Sequence, residues 1–205
     1  MLIPFHTIVE KYGKPNGILH CGASSGQEAK DYSAHVDNVV WIEALPHVYN
    51  SLVNNVAQYK HKCILACVSD QDGIEVNFHE ANNEGQSSSM LAFGTHAQVH
   101  PTVKYIADHK MVTTTIETIY KNHNLSGLDF LNFDVQCAEL QVLKGMGDIL
   151  NDFKWAYLEV NQKPLYKGCA LIGEVDRYMG KFNFKRVETR WAGRTFWGDA
   201  LYVKK

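Results

Sequence analysis

The chain has 205 residues, 45% of them hydrophobic and 20% charged, enough to bury one core and ordinary for a globular rather than a disordered protein. A formal net charge of −2 with no Lys/Arg run excludes a nucleic-acid partner bound through its backbone, which needs several concentrated cations. No apolar run reaches membrane-span length, and the opening MLIPFHTIVEKYGKPNG lacks the basic start and apolar core of a signal peptide, so a cytoplasmic (intracellular) protein without a membrane span is expected.

In chain order, Ile3 to Tyr12 reads as a short amphipathic helix closed by the breaker run Gly13 to Gly17. It is expected to pack at a sheet edge or to lid a site. The stretch GILHCGASSG from Gly17 to Gly26 follows, a buried strand running into a tight turn, with Gln27 to His35 as the next helix. Asn38 to Ile42 is a second apolar strand ending at Glu43, and Pro46 to Tyr59 a helix with Pro in its first turn. Lys62 to Val68 reads as a third strand, closed by the turn Ser69 to Gly73. The alternation is the doubly wound α/β pattern.

From Ile74 the period changes to two, as in a half-exposed hairpin strand. The run from Ala81 through Pro101 has little periodicity and is expected to form a long functional loop, within an inserted substrate-side segment at 80–110. Met111 to Thr115 is a short strand, Ile116 to His123 a helix, Leu128 to Phe133 a core strand ending at Asp134, and Ala138 to Lys144 a helix. Trp155 to Val160 is a strand that delivers Glu159 and Asn161, Leu171 to Met179 a helix, and Phe182 to Glu188 and Phe196 to Val203 two last strands. A mixed sheet in one domain, 1–205, with an N-terminal helix in 1–16, is expected. The five cysteines, Cys21, Cys63, Cys67, Cys137 and Cys169, show no metal or CxxC spacing and read as reduced, mostly buried thiols.

Ligands of open α/β sheets bind beyond the carboxyl ends of the strands. Those ends here are Gly22, Glu43, Ser69 with Asp70, Asp134 and Glu159. Glu43 lies at the spacing after the glycine turn where an acid accepts from ribose hydroxyls. Ser24 occupies the middle glycine of the dinucleotide pattern, and no Tyr-x-x-x-Lys pair is present. Both features move weight from a nicotinamide cofactor, and so from an oxidoreductase, towards S-adenosylmethionine.

HCGASSGQ at His20 to Gln27, IEALP at Ile42 to Pro46, VSDQDG at Val68 to Gly73, the serines Ser87 to Ser89 and NFDVQCAELQVLKG at Asn132 to Gly145 occur in an order that resembles the FkbM-type S-adenosylmethionine-dependent methyltransferases, over about Ile18 to Val187. The resemblance implies a class I methyltransferase fold: a Rossmann-like, seven-stranded mixed sheet in three α/β/α layers. It implies O-methylation of a small-molecule hydroxyl, with a sugar or glycan as acceptor. It places Gly22, Ala23, Ser24 and Gly26 at the cofactor turn, Glu43 with Ala44 at the ribose, and Ser69 and Asp70 with Val68 at the adenine. Asp134 and Glu139 would face or support the transfer site.

Several positions depart from the family pattern: His20 stands where it shows Asp, and Asn132, Phe133, Gln136 and Cys137 stand where it shows Lys, Ile, Glu and Gly. These departures keep open a catalytically silent cofactor-binding module. Asp134 is expected to act as base or, with Glu159 and Asn161, as ligand of a divalent cation such as Mg or Mn. Glu159 belongs with the catalytic candidates, as do His100 and its neighbour His96, which flank the long loop as acceptor-side bases. Trp191, Arg194 and Trp197 are candidates for a sugar-stacking platform. No Asn/Asp-Pro-Pro-aromatic motif for amino methylation of nucleic acid occurs.

Overall fold

A computed structural model describes residues 1–193 and 195–205. Four strands carry the centre: β1 (Gly17–Cys21), β2 (Asn38–Glu43), β3 (Lys62–Leu65) and, far along the chain, β7 (Phe130–Phe133). β1 and β7 are buried at every position, as continuous apolar runs covered on both faces must be. With β8 (Trp155–Asn161), β9 (Phe184–Trp191) and β10 (Trp197–Lys204) they form a seven-stranded sheet in the order β3-β2-β1-β7-β8-β10-β9. β10 is antiparallel to both neighbours and the other pairs are parallel, so the sheet is mixed.

Alternate strand residues feed two cores, which makes the architecture three-layered. Leu19, Leu131 and Leu158 pack with α5 (Ile116–His123), α6 (Glu139–Lys144) and α7 (Ile172–Gly180) on one face. Ile18, Phe130 and Tyr157 pack with α1 (Phe5–Tyr12), α2 (Ala29–Ser33) and α3 (Pro46–Val56) on the other. α1 docks through Phe5, edge-on to Tyr32 at 4.8 Å and to Phe130 at 5.4 Å. No helix among the described residues is long and apolar enough to cross a membrane.

The expected third strand divides. β3 ends at Leu65, and Cys67–Val68 form a separate strand, β4, that pairs with Thr113–Thr114 in a second sheet of order β4-β6-β5. The remaining two strands of that sheet are β5 (Glu75–Ala81) and β6 (Tyr105–Thr114), an antiparallel pair. β6 begins well before Met111 because the ladder to β5, and not an apolar pattern, holds Tyr105–Lys110 in place; Ile106 is 63% exposed. Of the segment 80–110, the part between β5 and β6 is loop apart from the single-turn α4 (His96–Val99). All five cysteines are free, and all but Cys63 are buried.

Chain crossovers leave β1 towards β2 on one side and β7 towards β8 on the other, so the crevice between them opens at the carboxyl ends of β1 and β7. Such a switch point is where open α/β sheets bind ligands.

Candidate functional site

The turns that follow β1 and β7 are pressed together at that crevice. Asp134 N–H donates to Cys21 O at 3.0 Å, and a Cβ on Gly22 would stand 1.8 Å from Asp134 O. Glycine is therefore obligatory at 22 because the second turn occupies the space, not because a ligand does. Ser24 (φ 47°) in the first turn and Gln136 and Cys137 (φ 51° and 75°) in the second are all left-handed. Each non-glycine residue in that region costs about 1–2 kcal/mol, strain of the kind that collects at functional sites. Gly26 (φ 77°) faces Leu52 and Val56 of α3; it shapes the turn by packing and lies outside the cavity lining.

Glu43, at the end of β2, holds the first turn. Its Oε2 accepts from Ser24 N–H at 2.9 Å and its Oε1 from Ala44 and Leu45 N–H at 2.9 and 3.0 Å. Burial raises its pKa against these three bonds. A carboxylate has about four lone-pair positions, so roughly one is left for a ligand hydroxyl rather than a pair.

Two cavities adjoin here. The first, about 270 Å³, is lined by Gly22, Ala23, Ser24, Glu43 and Ala44 from the sheet side, by Ala66, Cys67 and Val68, and by Phe78, Gln86, Ser88 and Met90 from the second sheet and the loop beyond it. Ser69 and Asp70, expected at its adenine end, lie outside this lining. β4 turns into the second sheet, Ser69 O lies against Gly145, and Asp70 is exposed. The short run 66–68 takes their place. Gln27 and Glu28 also line this cavity; the sequence marked Gln27 as the end of the first motif and both as the start of a helix, without a site role.

The second cavity, about 290 Å³, is lined by Asn83, Ser87, His96, His100, Glu159, Leu165, Tyr166 and Trp197, and shares Gln86, Asp134 and Gln136 with the first. Asp134 opens onto both, and Gln136 bridges the acids. Gln136 Nε2 donates to Asp134 Oδ1 at 2.7 Å and to Glu159 Oε2 at 3.0 Å, while its Oε1 accepts from the Tyr166 hydroxyl at 2.8 Å. Burial, and then the facing Asp134, hold Glu159 well above the usual carboxylate range; burial and Asp199 also raise Asp134, against the bond from Glu159. Open to the cavities, Asp134 is the more easily ionised of the two, so the proton the pair retains belongs on Glu159.

Some of the remaining expected residues separate from this centre, and others join it. Glu139 lines neither cavity: its Oε1 accepts from Val135 and Cys137 N–H at 2.9 and 3.2 Å, which fixes the left-handed turn that carries Gln136. Asn161 is buried, and neither side-chain atom has a partner among the described residues. The expected cation site does not form. No group of three or more His, Cys, Asp or Glu among the described residues is placed to hold a metal ion, and the Gln136 amide spans the two carboxylates. The serines form a clasp: Ser88 Oγ accepts from Ala81 N–H, Ser87 Oγ from the Asn83 amide, and Ser89 Oγ donates to Gln136 O. Trp197 reaches the second cavity, Trp191 packs against the core, and Arg194 lies outside the described residues.

Two of the departures from the family pattern are one feature. His20 and Asn132 are register partners on β1 and β7, both 3% exposed. Asn132 Nδ2 donates to the Tyr32 hydroxyl at 2.6 Å, and that hydroxyl lies 3.4 Å from His20 Nδ1. Burial pushes the His20 pKa down to about 4, so a neutral hydrogen-bonded chain stands where the family pattern places Asp and Lys.

The model of the methyltransferase FkbM domain matches residues 20–186. A curated relative, the 2-O-methyltransferase NoeI of Sinorhizobium fredii (strain NBRC 101917 / NGR234), is 24% identical over 107 residues, 49% of this chain and 44% of that one, so the match takes in less than half of the relative. Among solved structures, methyltransferase FkbM from Methylobacillus flagellatus KT aligns with a TM-score of 0.59 at 14% identity, over 92% of this chain and 43% of that one. Magnesium protoporphyrin IX methyltransferase (ChlM) from Synechocystis PCC 6803, solved with bound SAM, aligns with a TM-score of 0.56 at 9% identity, over 100% and 77%. These two likenesses bear on the fold, which is the Rossmann-like fold of the class I methyltransferases, and with the domain match they lead to one conclusion: the chain belongs to the FkbM methyltransferase family.

Proposed function

We propose that this chain is an S-adenosylmethionine-dependent O-methyltransferase whose acceptor is a neutral hydroxyl compound of the sugar or glycan class. The observation that carries the reading is the pair of adjoining cavities that meet at Asp134 and Gln136, one walled by the glycine turn and Glu43, the other by polar side chains and Trp197. The residues present fit the cofactor: Glu43 retains an acceptor position for a ribose hydroxyl, Val68 and Phe78 offer apolar wall for an adenine, and Gln27 and Glu28 offer polar groups for the amino-acid end. When bound, S-adenosylmethionine supplies an electrophilic methyl group on a sulfonium.

The protein's part is to hold an acceptor hydroxyl in line with that methyl and to receive its proton. Asp134, open to both cavities and ionised beside a protonated Glu159, is the base; the Gln136 amide fixes its orientation at 2.7 Å. Asp134 would receive the hydroxyl proton as the acceptor oxygen took the methyl group that the bound cofactor would supply. Two carboxyl groups and no lysine or arginine among the described residues that line the second cavity disfavour an anionic acceptor. The printed name of the curated relative, a 2-O-methyltransferase, supports oxygen as the methylated atom.

Calorimetry with S-adenosylhomocysteine tests the cofactor. Micromolar binding, weakened roughly tenfold in Glu43→Gln through loss of one charge-assisted hydrogen bond, is expected. No binding at millimolar ligand would overturn the reading. Transfer of labelled methyl to a panel of neutral methyl glycosides, and not to their phosphorylated or carboxylated counterparts, tests the acceptor class.

A further inference from the structure

The wall of the second cavity contains a histidine held with unusual rigidity. His96 is 4% exposed. Its ring stacks on Phe93 at 4.2 Å and 4°, and Phe93 stacks in turn on Tyr105 at 3.8 Å. The backbone beneath is fastened to the chain that leaves β8: Gly94 N–H and His96 N–H donate to Leu165 O at 2.7 and 3.0 Å, and Thr95 N–H to Pro164 O at 3.2 Å. A Cβ on Gly94 would stand 2.7 Å from Pro164 O. Neither the ring nor its loop has room to swing.

The two ring nitrogens then differ in kind. Nδ1 is buried and without a hydrogen-bond partner among the described residues, and the ring lines the second cavity, which leaves Nε2 as the nitrogen to meet a ligand. A buried N–H without a partner is rarer and costlier than a buried lone pair without one. The proton of the neutral imidazole therefore belongs on Nε2, and a second proton on Nδ1 is resisted. In accord with this, burial and the neighbouring His100, whose ring lies 4.9 Å away, lower its pKa to about 4.

Resting on the O-methyl-transfer reading, we propose that His96 is an acceptor-positioning residue: a permanently neutral Nε2–H donor that grips an oxygen of the acceptor across the cavity from Asp134. A histidine that already carries its only proton on the accessible nitrogen cannot serve as the base there. On this reading donation replaces, at this position, the base expected from the sequence: His96 holds the acceptor, and Asp134 receives its proton.

The tautomer is read directly, without any substrate, from long-range proton–nitrogen correlation spectra of the imidazole. Nε2 protonated and Nδ1 bare from pH 5.5 to 8 is expected; a proton on Nδ1, or titration near pH 6.5, overturns the proposal. Kinetics with the best methyl glycoside of the panel supply the second arm. His96→Phe keeps the stack and loses the donor, so KM should rise about tenfold, the value of one net hydrogen bond, with the pH profile and S-adenosylhomocysteine affinity unchanged. His96→Gln, whose amide nitrogen stands near the Nε2 position, should recover part of the loss. A fall in kcat with a displaced pH profile would instead make His96 a base and refute the assignment. S-adenosylhomocysteine binding with no glycoside methylated would refute the sugar reading alone, and the nitrogen spectrum would then decide the role of His96.

Discussion

The neutral pair on β1 and β7 gives the sharpest thermodynamic prediction. His20 and Asn132 face each other in register, both buried, linked through the Tyr32 hydroxyl. Restoring Asp at 20 alone buries a carboxylate beside a neutral amide and a phenol, and restoring Lys at 132 alone buries an ammonium beside a neutral imidazole. An uncompensated buried charge costs on the order of 3–5 kcal/mol, a large fraction of the ~5–15 kcal/mol that stabilises a domain. Together the two charges meet across one strand spacing, and each relieves the other. Urea unfolding of wild type, His20→Asp, Asn132→Lys and the double variant should show losses of about 3 kcal/mol or more for each single change. The double variant should recover at least ~2 kcal/mol relative to their sum. Additivity within about 0.5 kcal/mol, the behaviour of independent sites, would refute the claim that the two departures are one exchange.

Two further predictions rest on the same crevice. Because burial lowers the His20 pKa from 6.5 to about 4, below pH 6.5 the unfolded chain takes up a proton there that the native state refuses, so this contribution to stability is full above pH 6.5 and shrinks as the pH falls. At up to about 1.4 kcal/mol per pH unit, wild type should lose about 2 kcal/mol between pH 7.5 and 5 relative to His20→Gln; a gap between the two urea midpoints that is the same at pH 5 and at pH 7.5 would show the ring to be freely titrating. Gly22→Ala sets a Cβ 1.8 Å from Asp134 O, whereas Gly73→Ala (φ 77°) meets nothing within 4 Å. The first should cost several kcal/mol and abolish S-adenosylhomocysteine binding, the second only the ~1–2 kcal/mol of a left-handed side chain, and equal losses would contradict the close approach of the two turns.

The strands of the seven-stranded sheet were legible because burial on both faces writes itself as apolar runs: GILHC, NVVWI, FLNF and WAYLEV need no tertiary information. So were the strand-end residues, since Gly22, Glu43, Asp134 and Glu159 all reach the crevice. What the pattern concealed is set by backbone pairing. KCILACV reads as one strand, yet Cys67–Val68 belong to a different sheet because Thr113–Thr114 claim them, and this single exchange moves Ser69 and Asp70 out of the cavity. Glu139 was read as a catalytic candidate that faces or supports the transfer site, and not as the acceptor of two backbone N–H groups. The loop contributors Gln86 and Met90 carry no periodic signal, and only the fold brings them, with Ser88 of the serine motif, over the glycine turn.

On the proposed mechanism, the position of Gln136 accounts for a centre without the family's acid there. A third carboxylate between Asp134 and Glu159 would raise the cost of ionising any of them, because like charges in a confined site suppress one another. The amide instead donates to both acids with one nitrogen and is held by the Tyr166 hydroxyl through its oxygen. Its backbone oxygen accepts from Ser89, and its left-handed φ of 51° is fixed by the turn that Glu139 supports. Every contact of Gln136 thus serves to aim one neutral side chain. On the proposed mechanism, that aim lets Asp134 ionise next to a protonated neighbour, the condition for a carboxylate to act as a base near neutral pH.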